Sequence, residues 1–202
     1  MAVEEKNIPD QPQKKENWQQ SVLLYLHDLV YLLMVLIVVF VLLFRLIVVS
    51  GDSMYDTLVD GDYLLLLSNV FYRQPEAGDI VVISKESFED GAPIVKRVIA
   101  TEGQIVDIDF ENAIVYVDGL PLEEPYIHTP TNVEEGMAFP LIVEKGCVFV
   151  LGDNRQVSLD SRSPSVGLID RREILGKALL LLIPGSNHGL SPKDYSRIGA
   201  IK

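Results

Sequence analysis

Residues 93–100 read Pro93-Ile94-Val95-Lys96-Arg97-Val98-Ile99-Ala100. In a strand, alternation puts Ile94, Lys96, Val98 and Ala100 on one face and Val95, Arg97 and Ile99 on the other. Both faces are apolar, so the strand is expected to be covered on both sides. Two neighbouring cations then sit where charge is costly. Arginine keeps its proton, so Arg97 requires a carboxylate partner. Lysine can lose its proton, and desolvation favours that loss. A neutral buried lysine is a competent general base; a lysine at a solvated strand edge is simply a surface cation.

Similar short apolar runs recur around this stretch: Tyr63–Leu67, Ile80–Ser84, Ile105–Ile108, Ala113–Val117, Cys147–Leu151 and Ala178–Ile183. Turn residues separate them at Asp60-Gly61, Gly78-Asp79, Gly91, Asp118-Gly119 and Gly152-Asp153. Val115 to Leu120 reads as a hairpin closed by an Asp-Gly turn. No segment in this region has a long helical period. The expectation is a mainly β domain, an antiparallel coiled sheet of barrel-like form, over residues 50–185, with 186–202 as a C-terminal tail.

The N-terminal region is different. Leu29 to Phe44 is uninterrupted by polar side chains apart from the Tyr31 hydroxyl, and Leu46 to Val49 continue it after Arg45. Leu29 to Val49 would span roughly 32 Å as a helix, which suits a hydrocarbon core of about 30 Å. One transmembrane helix is expected, with Arg45 snorkelling at its end. The run exceeds an ordinary signal-peptide core of about 7–15 residues, so an uncleaved anchor is favoured over a cleaved leader. Residues 22–49 are read as an interfacial lead-in (Val22–Asp28) plus this anchor, and 1–21 as a disordered tail. Lys14 and Lys15 place that tail on the cytoplasmic side and the β domain outside the cytoplasm.

Of the 202 residues, 17 are basic and 29 acidic, a net charge of −12. Residues 46–202 alone carry 13 basic and 24 acidic side chains. That excludes a basic nucleic-acid footprint and simple attraction to anionic lipid headgroups. The single cysteine, Cys147, allows no internal disulfide and heads an apolar strand, where free cysteine packs as a small hydrophobe. No metal-ligand cluster is visible, and no metal or cofactor is expected. Of the three histidines, His27 lies on the membrane side, His128 in a Pro/Thr-rich loop and His188 near the C-terminus, none in an informative context for a Ser-His-Asp triad. Gly51-Asp52-Ser53-Met54-Tyr55 lacks the final glycine of a nucleophile elbow.

Gly152 to Arg162 follows a strand and packs Asp153, Asn154, Arg155, Ser158, Asp160, Ser161 and Arg162 together. Such density suits either a solvated loop or a buried ion-pair network. Asp153 or Asp160 is the candidate partner of Arg97.

Taken in order, Ser50-Gly51-Asp52-Ser53-Met54-Tyr55-Asp56-Thr57-Leu58 behind an anchor, then Lys96-Arg97-Val98-Ile99, then Gly152–Arg162, the chain resembles the bacterial type I signal peptidases over about residues 20–185. The resemblance implies a serine endopeptidase that removes signal peptides from exported preproteins, held in the lipid bilayer and needing no cofactor. It implies Ser53 as nucleophile, Lys96 as general base and the Ser53 backbone N–H as oxyanion donor. Ser158 would hydrogen-bond and orient the lysine, while Asp160 with Arg162 and Asp153 with Arg97 would form site-shaping ion pairs. Met54 would lie in the substrate-pocket neighbourhood. The chain departs from the family pattern where proline usually follows at Asp56, and where some relatives carry an oxyanion serine at the position of Gly51. Asp56 is expected to cap the following turn through its side chain instead. The alternative is a catalytically specialised or non-catalytic, membrane-anchored relative that binds rather than cleaves.

Overall fold

The computed structural model describes residues 18–85, 91–186, 189 and 192–201. The chain divides into two units, 1–40 and 41–202. Helix α1, Trp18–Leu43, is 26 residues long and apolar enough to cross a membrane, with none of its side chains buried in protein. At about 1.5 Å per residue it reaches roughly 39 Å. Lys14, Lys15 and His188 lie outside the described residues.

The expected helix differs at both ends. Trp18–Asp28, assigned to the tail and an interfacial lead-in, is already helical. At the other end the helix stops at Leu43, and Phe44–Val48 form strand β1. β1 pairs antiparallel with β2 (Tyr63–Ser68), from Phe44 opposite Leu67 to Val48 opposite Tyr63. The apolar run therefore serves two structures. Branched residues such as Ile47 and Val48 suit a pleated surface, and pairing with β2 supplies hydrogen bonds that a longer helix would forgo.

The remaining strands are β3 (Ile80–Ile83), β4 (Ile94–Thr101), β5 (Ile105–Asp109), β6 (Ile114–Val117), β7 (Leu120–Pro121), β8 (Leu141–Ile142), β9 (Cys147–Leu151), β10 (Ile169–Asp170), β11 (Ile174–Ile183) and β12 (Gly199–Ala200). The larger sheet runs β1-β2-β11-β3-β4-β9-β10, with β12 added to β11. The smaller runs β7-β6-β5-β8. All pairings between these strands are antiparallel. The mainly β expectation holds. The expected Asp-Gly hairpin turn is present, with φ of +54° at Asp118 and +78° at Gly119, the signs that a two-residue I′ turn requires. Residues 199–200, assigned to the tail, join the sheet because β11 offers them an edge.

β4 is buried along its length from Val95 to Ala100. Val95 packs with Met54, Leu64 and Val82 in one cluster, and Val98 with Val81 and Val150 in a second. The register against β9 shifts between Val98 and Ala100. That bulge lets the adjacent Ile99 and Ala100 both enter a third cluster, with Val106, Val115 and Phe149, which joins the two sheets. Cys147 packs at the margin of that cluster, and burial raises its thiol pKa.

β11 is the central strand between β2 and β3, and Gly176 faces Ser68 on one side and Val82 on the other. A Cβ there would collide with the Leu67 carbonyl oxygen and lie 3.1 Å from its carbon. Backbone cannot yield as a flexible side chain can. Gly176→Ala is therefore expected to lower stability by about 1–3 kcal/mol, read from chemical denaturation; a change below about 0.5 kcal/mol, the level of a neutral surface substitution, would contradict this packing.

Candidate active site

Ser53 opens a turn between β1 and β2. Its carbonyl accepts the Asn154 N–H at 3.0 Å, and the Asn154 side-chain amide donates to the Asp52 carbonyl at 3.2 Å. Further along, the Leu58 N–H donates to the Met54 carbonyl at 2.8 Å. Gly51, at φ +86°, adopts a conformation that suits glycine, and its N–H donates to Asp60 Oδ1 at 2.9 Å. The Gly152–Arg162 loop thus grips the Ser53 turn by its backbone, leaving the hydroxyl free to point elsewhere.

That hydroxyl faces Lys96. Lys96 Nζ lies 2.8 Å from Ser53 Oγ, and the lysine is only 3% exposed. Two residues far apart in the chain meet because β4 carries Lys96 past the turn that follows β1. Both line a cleft of about 500 Å³ with Ile47, Val48, Ser50, Ala92, Pro93, Ile94 and Val95. Apart from the serines and the lysine its lining side chains are apolar. Met54 is not among them. It is 1% exposed and packs in the core with Val49 and Leu58, so its long apolar side chain anchors the turn from inside the protein.

Arg97, on the opposite face of β4, meets Asp153 in a two-pronged pair: Nε to Oδ1 at 2.9 Å and Nη2 to Oδ2 at 2.7 Å. Both side chains are buried. The same guanidinium donates to the Gly78 carbonyl at 3.1 Å and lies 3.9 Å from the Tyr126 ring centroid. Thr57 Oγ1 donates to Asp153 Oδ2 at 2.5 Å, which ties the Ser53 turn to the same carboxylate. Of the two candidate partners of Arg97, Asp153 is the one in place. Asp160 instead accepts from Arg162 at 2.9 Å through each oxygen and from the Gly152 N–H at 3.0 Å. Glu135 flanks Arg162 at 3.0 Å, and desolvation raises its carboxyl pKa. The Gly152–Arg162 segment is a buried polar network rather than a solvated loop.

Ser158 departs from its expected role. It is 2% exposed, and among the described residues its hydroxyl has no hydrogen-bond partner. It is pressed against Gly152, where an added Cβ would collide with it and come within 2.5 Å of the Ser53 carbonyl. Lys96 Nζ meets Ser53 Oγ. Asp56 also departs from expectation. Its carboxylate meets His128 Nδ1 at 3.0 Å instead of capping the following turn.

Sequence reasoning missed Thr57, Tyr126, Glu124, Glu135 and His128. Glu124 holds Arg155 through both guanidinium Nη atoms, and Arg155 is completely buried. These partners come from loops without periodic pattern, and the sequence signal was that three arginines, Arg97, Arg155 and Arg162, face only the two aspartates of Gly152–Arg162 and need further carboxylates.

Comparison with known proteins agrees with this arrangement of segments. Residues 22–183 match the family described as signal peptidase, peptidase S26. A probable signal peptidase I-1 of Synechocystis sp. is 37% identical over 149 residues, covering 70% of this chain and 72% of that protein. A signal peptidase I of Bacillus licheniformis is 30% identical over 180 residues, covering 85% and 94%. Among solved structures, a signal peptidase I from Enterococcus faecalis V583 is 28% identical with a TM-score of 0.42, covering 52% of this chain and 97% of that one. With the family match extending from within the apolar helix to the end of β11, the chain belongs to the signal peptidase family, peptidase S26.

Proposed function

We propose that this chain is a membrane-anchored serine endopeptidase that removes N-terminal signal peptides from exported preproteins, with Ser53 as nucleophile and Lys96 as general base. The observation that carries the reading is the 2.8 Å contact of a buried lysine amine with a serine hydroxyl inside a cleft whose other side chains are mostly aliphatic. Burial disfavours the ammonium form of such a lysine, and the neutral amine is what the chemistry needs.

In this mechanism Lys96 Nζ takes the Ser53 proton as Oγ attacks the scissile carbonyl. The Ser53 backbone N–H stabilises the oxyanion, held in place by the Asn154 bond to the adjacent carbonyl. The tetrahedral intermediate collapses, Lys96 returns the proton to the leaving amine, and the signal peptide remains as an ester on Ser53. Lys96 then deprotonates a water that attacks the ester, and the proton passes back to Ser53 Oγ as it leaves. No step calls on a metal or cofactor.

The cleft also fits the substrate. β1 is an end strand of its sheet and contributes Ile47 and Val48 to the cleft wall. An extended peptide can add to such an edge and place alternate side chains in apolar depressions. Small apolar side chains suit walls of valine, isoleucine, alanine and proline. Helix α1 serves as the anchor, with the N-terminus cytoplasmic and the β domain on the outer side. Anchoring enzyme and precursor in one bilayer raises their effective concentration.

The direct test uses the full chain in detergent with a precursor bearing an Ala-x-Ala site, and maps the product N-terminus by mass spectrometry. Cleavage after that site, lost by at least about 10³-fold in both Ser53→Ala and Lys96→Ala, is expected; activity that survives Lys96→Ala would overturn the mechanism. A neutral-lysine base further predicts that kcat/KM rises tenfold per pH unit up to a plateau, since only the deprotonated amine works. A bell centred near neutrality that vanishes with a histidine substitution would contradict it. Asp153→Asn leaves the Arg97 charge buried without its counter-charge, and is expected to lower stability by about 3 kcal/mol in denaturant unfolding. A loss as small as that of one neutral hydrogen bond, about 1 kcal/mol, would show the pair to be dispensable.

A further inference from the structure

We propose that His128 is a positioning residue for the nucleophile, forming with Tyr55 and Asp56 a latch that holds the Ser53 turn in its reactive geometry. The inference deepens the peptidase reading above and rests on it for the part of its test that reads catalysis.

The turn is fastened on both flanks. Gly51 is bonded to Asp60, the Ser53 carbonyl to Asn154, and Thr57 to Asp153. Between these points Tyr55 and Asp56 project outward, and Asp56 is two-thirds exposed (66%). His128 takes hold of both. Its Nδ1 lies 3.0 Å from Asp56 Oδ2, and its ring meets the Tyr55 ring edge-to-face at 4.8 Å and 90°. A carboxylate only accepts, so Nδ1 carries the proton and donates it. One imidazole can meet an acid and a ring on consecutive residues only when the turn presents both side chains to it at once.

His128 is itself referenced to the catalytic frame. Its backbone N–H donates to the Asp153 carbonyl at 2.9 Å, and its neighbour Thr129 donates through Oγ1 to Asn154 Oδ1 at 3.0 Å. Asp153 holds Arg97, the residue after Lys96, and Asn154 holds the Ser53 carbonyl. The latch therefore ties the outer part of the nucleophile turn to the same two residues that locate the base and the nucleophile. An exposed His–Asp pair adds little to global stability. Rate is far more sensitive, because a displacement of about 1 Å between reacting groups costs up to about a hundredfold. The signature of the latch is a rate effect without a stability effect.

The test uses the full-length chain in detergent and the same precursor. His128→Ala is expected to lower kcat about tenfold with KM unchanged and with a melting midpoint within about 2 °C of wild type. His128→Asn, whose amide nitrogen can stand where Nδ1 stands, is expected to restore kcat to within about twofold. Asp56→Ala is expected to match His128→Ala, and the double variant to be no slower than either, as for groups acting through one contact. Hydrogen exchange of the amides in residues 53–58 should quicken about tenfold in His128→Ala and recover in His128→Asn. The proposal is overturned if wild type cleaves and His128→Ala keeps its kcat and its exchange rates. It is equally overturned if activity and melting midpoint fall together and His128→Asn rescues neither. If wild type cleaves nothing, the peptidase reading fails, and exchange alone decides the latch: unchanged exchange in His128→Ala overturns it, and quickened exchange restored by His128→Asn supports it.

Discussion

The buried pair between Arg97 and Asp153 is the constraint on which the site depends. It joins the covered strand β4 to the loop after β9, with both charges removed from water. An arginine in that position cannot be neutralised, so the loop that supplies its carboxylate must dock in one register. Once docked, the loop delivers Asn154 to the Ser53 carbonyl and Asp160 to Arg162 and the Gly152 N–H. Thr57, on the Ser53 turn, bonds the same Asp153 carboxylate. One ion pair thereby sets the position of the turn, the polar network and, through the neighbouring residue, the lysine.

The two cations of β4 have opposite fates because the strand alternates. Arg97 points to the acidic side and stays charged, bonded to both Asp153 oxygens and the Gly78 carbonyl. Lys96 points into the cleft, among mostly aliphatic side chains, and meets the Ser53 hydroxyl. A strand buried on both faces is what allows adjacent residues to live in such different surroundings. The division of labour, one cation as permanent scaffold and one able to shed its proton, follows from the chemistry of guanidinium and amine rather than from any special backbone.

Much of this was legible in the sequence. The apolar alternation of 93–100, the Asp-Gly hairpin and the recurring short runs specified an antiparallel β domain, and the runs became β2 through β6, β9 and β11 with edges shifted by a few residues. The need of Arg97 for a carboxylate was readable from Arg97 alone, and the candidates narrowed to Asp153 or Asp160 in Gly152–Arg162. The helix end was not readable, because Phe44–Val48 continues the apolar run on both sides of Arg45 and only the presence of β2 turns it into a strand. Met54 reads as a pocket residue beside a nucleophile, yet core packing claimed it. The Ser158 hydroxyl and the Asp56 carboxylate went elsewhere than expected for a similar reason. His128, distant in the chain and without a pattern, takes the Asp56 carboxylate, and the Ser158 hydroxyl is pressed against the Gly152 backbone.

The central claim is that Lys96 acts as a neutral amine beside Ser53. The most direct measurement is a side-chain carbon NMR titration of Lys96 in the full-length chain, with the resonance assigned by its loss in Lys96→Arg. The account predicts that the ε-carbon titrates well below the ordinary lysine value of about 10.4, leaving a substantial neutral fraction where the enzyme works. A titration at that ordinary value would leave only about one amine in 2,500 neutral at pH 7 and would contradict the account.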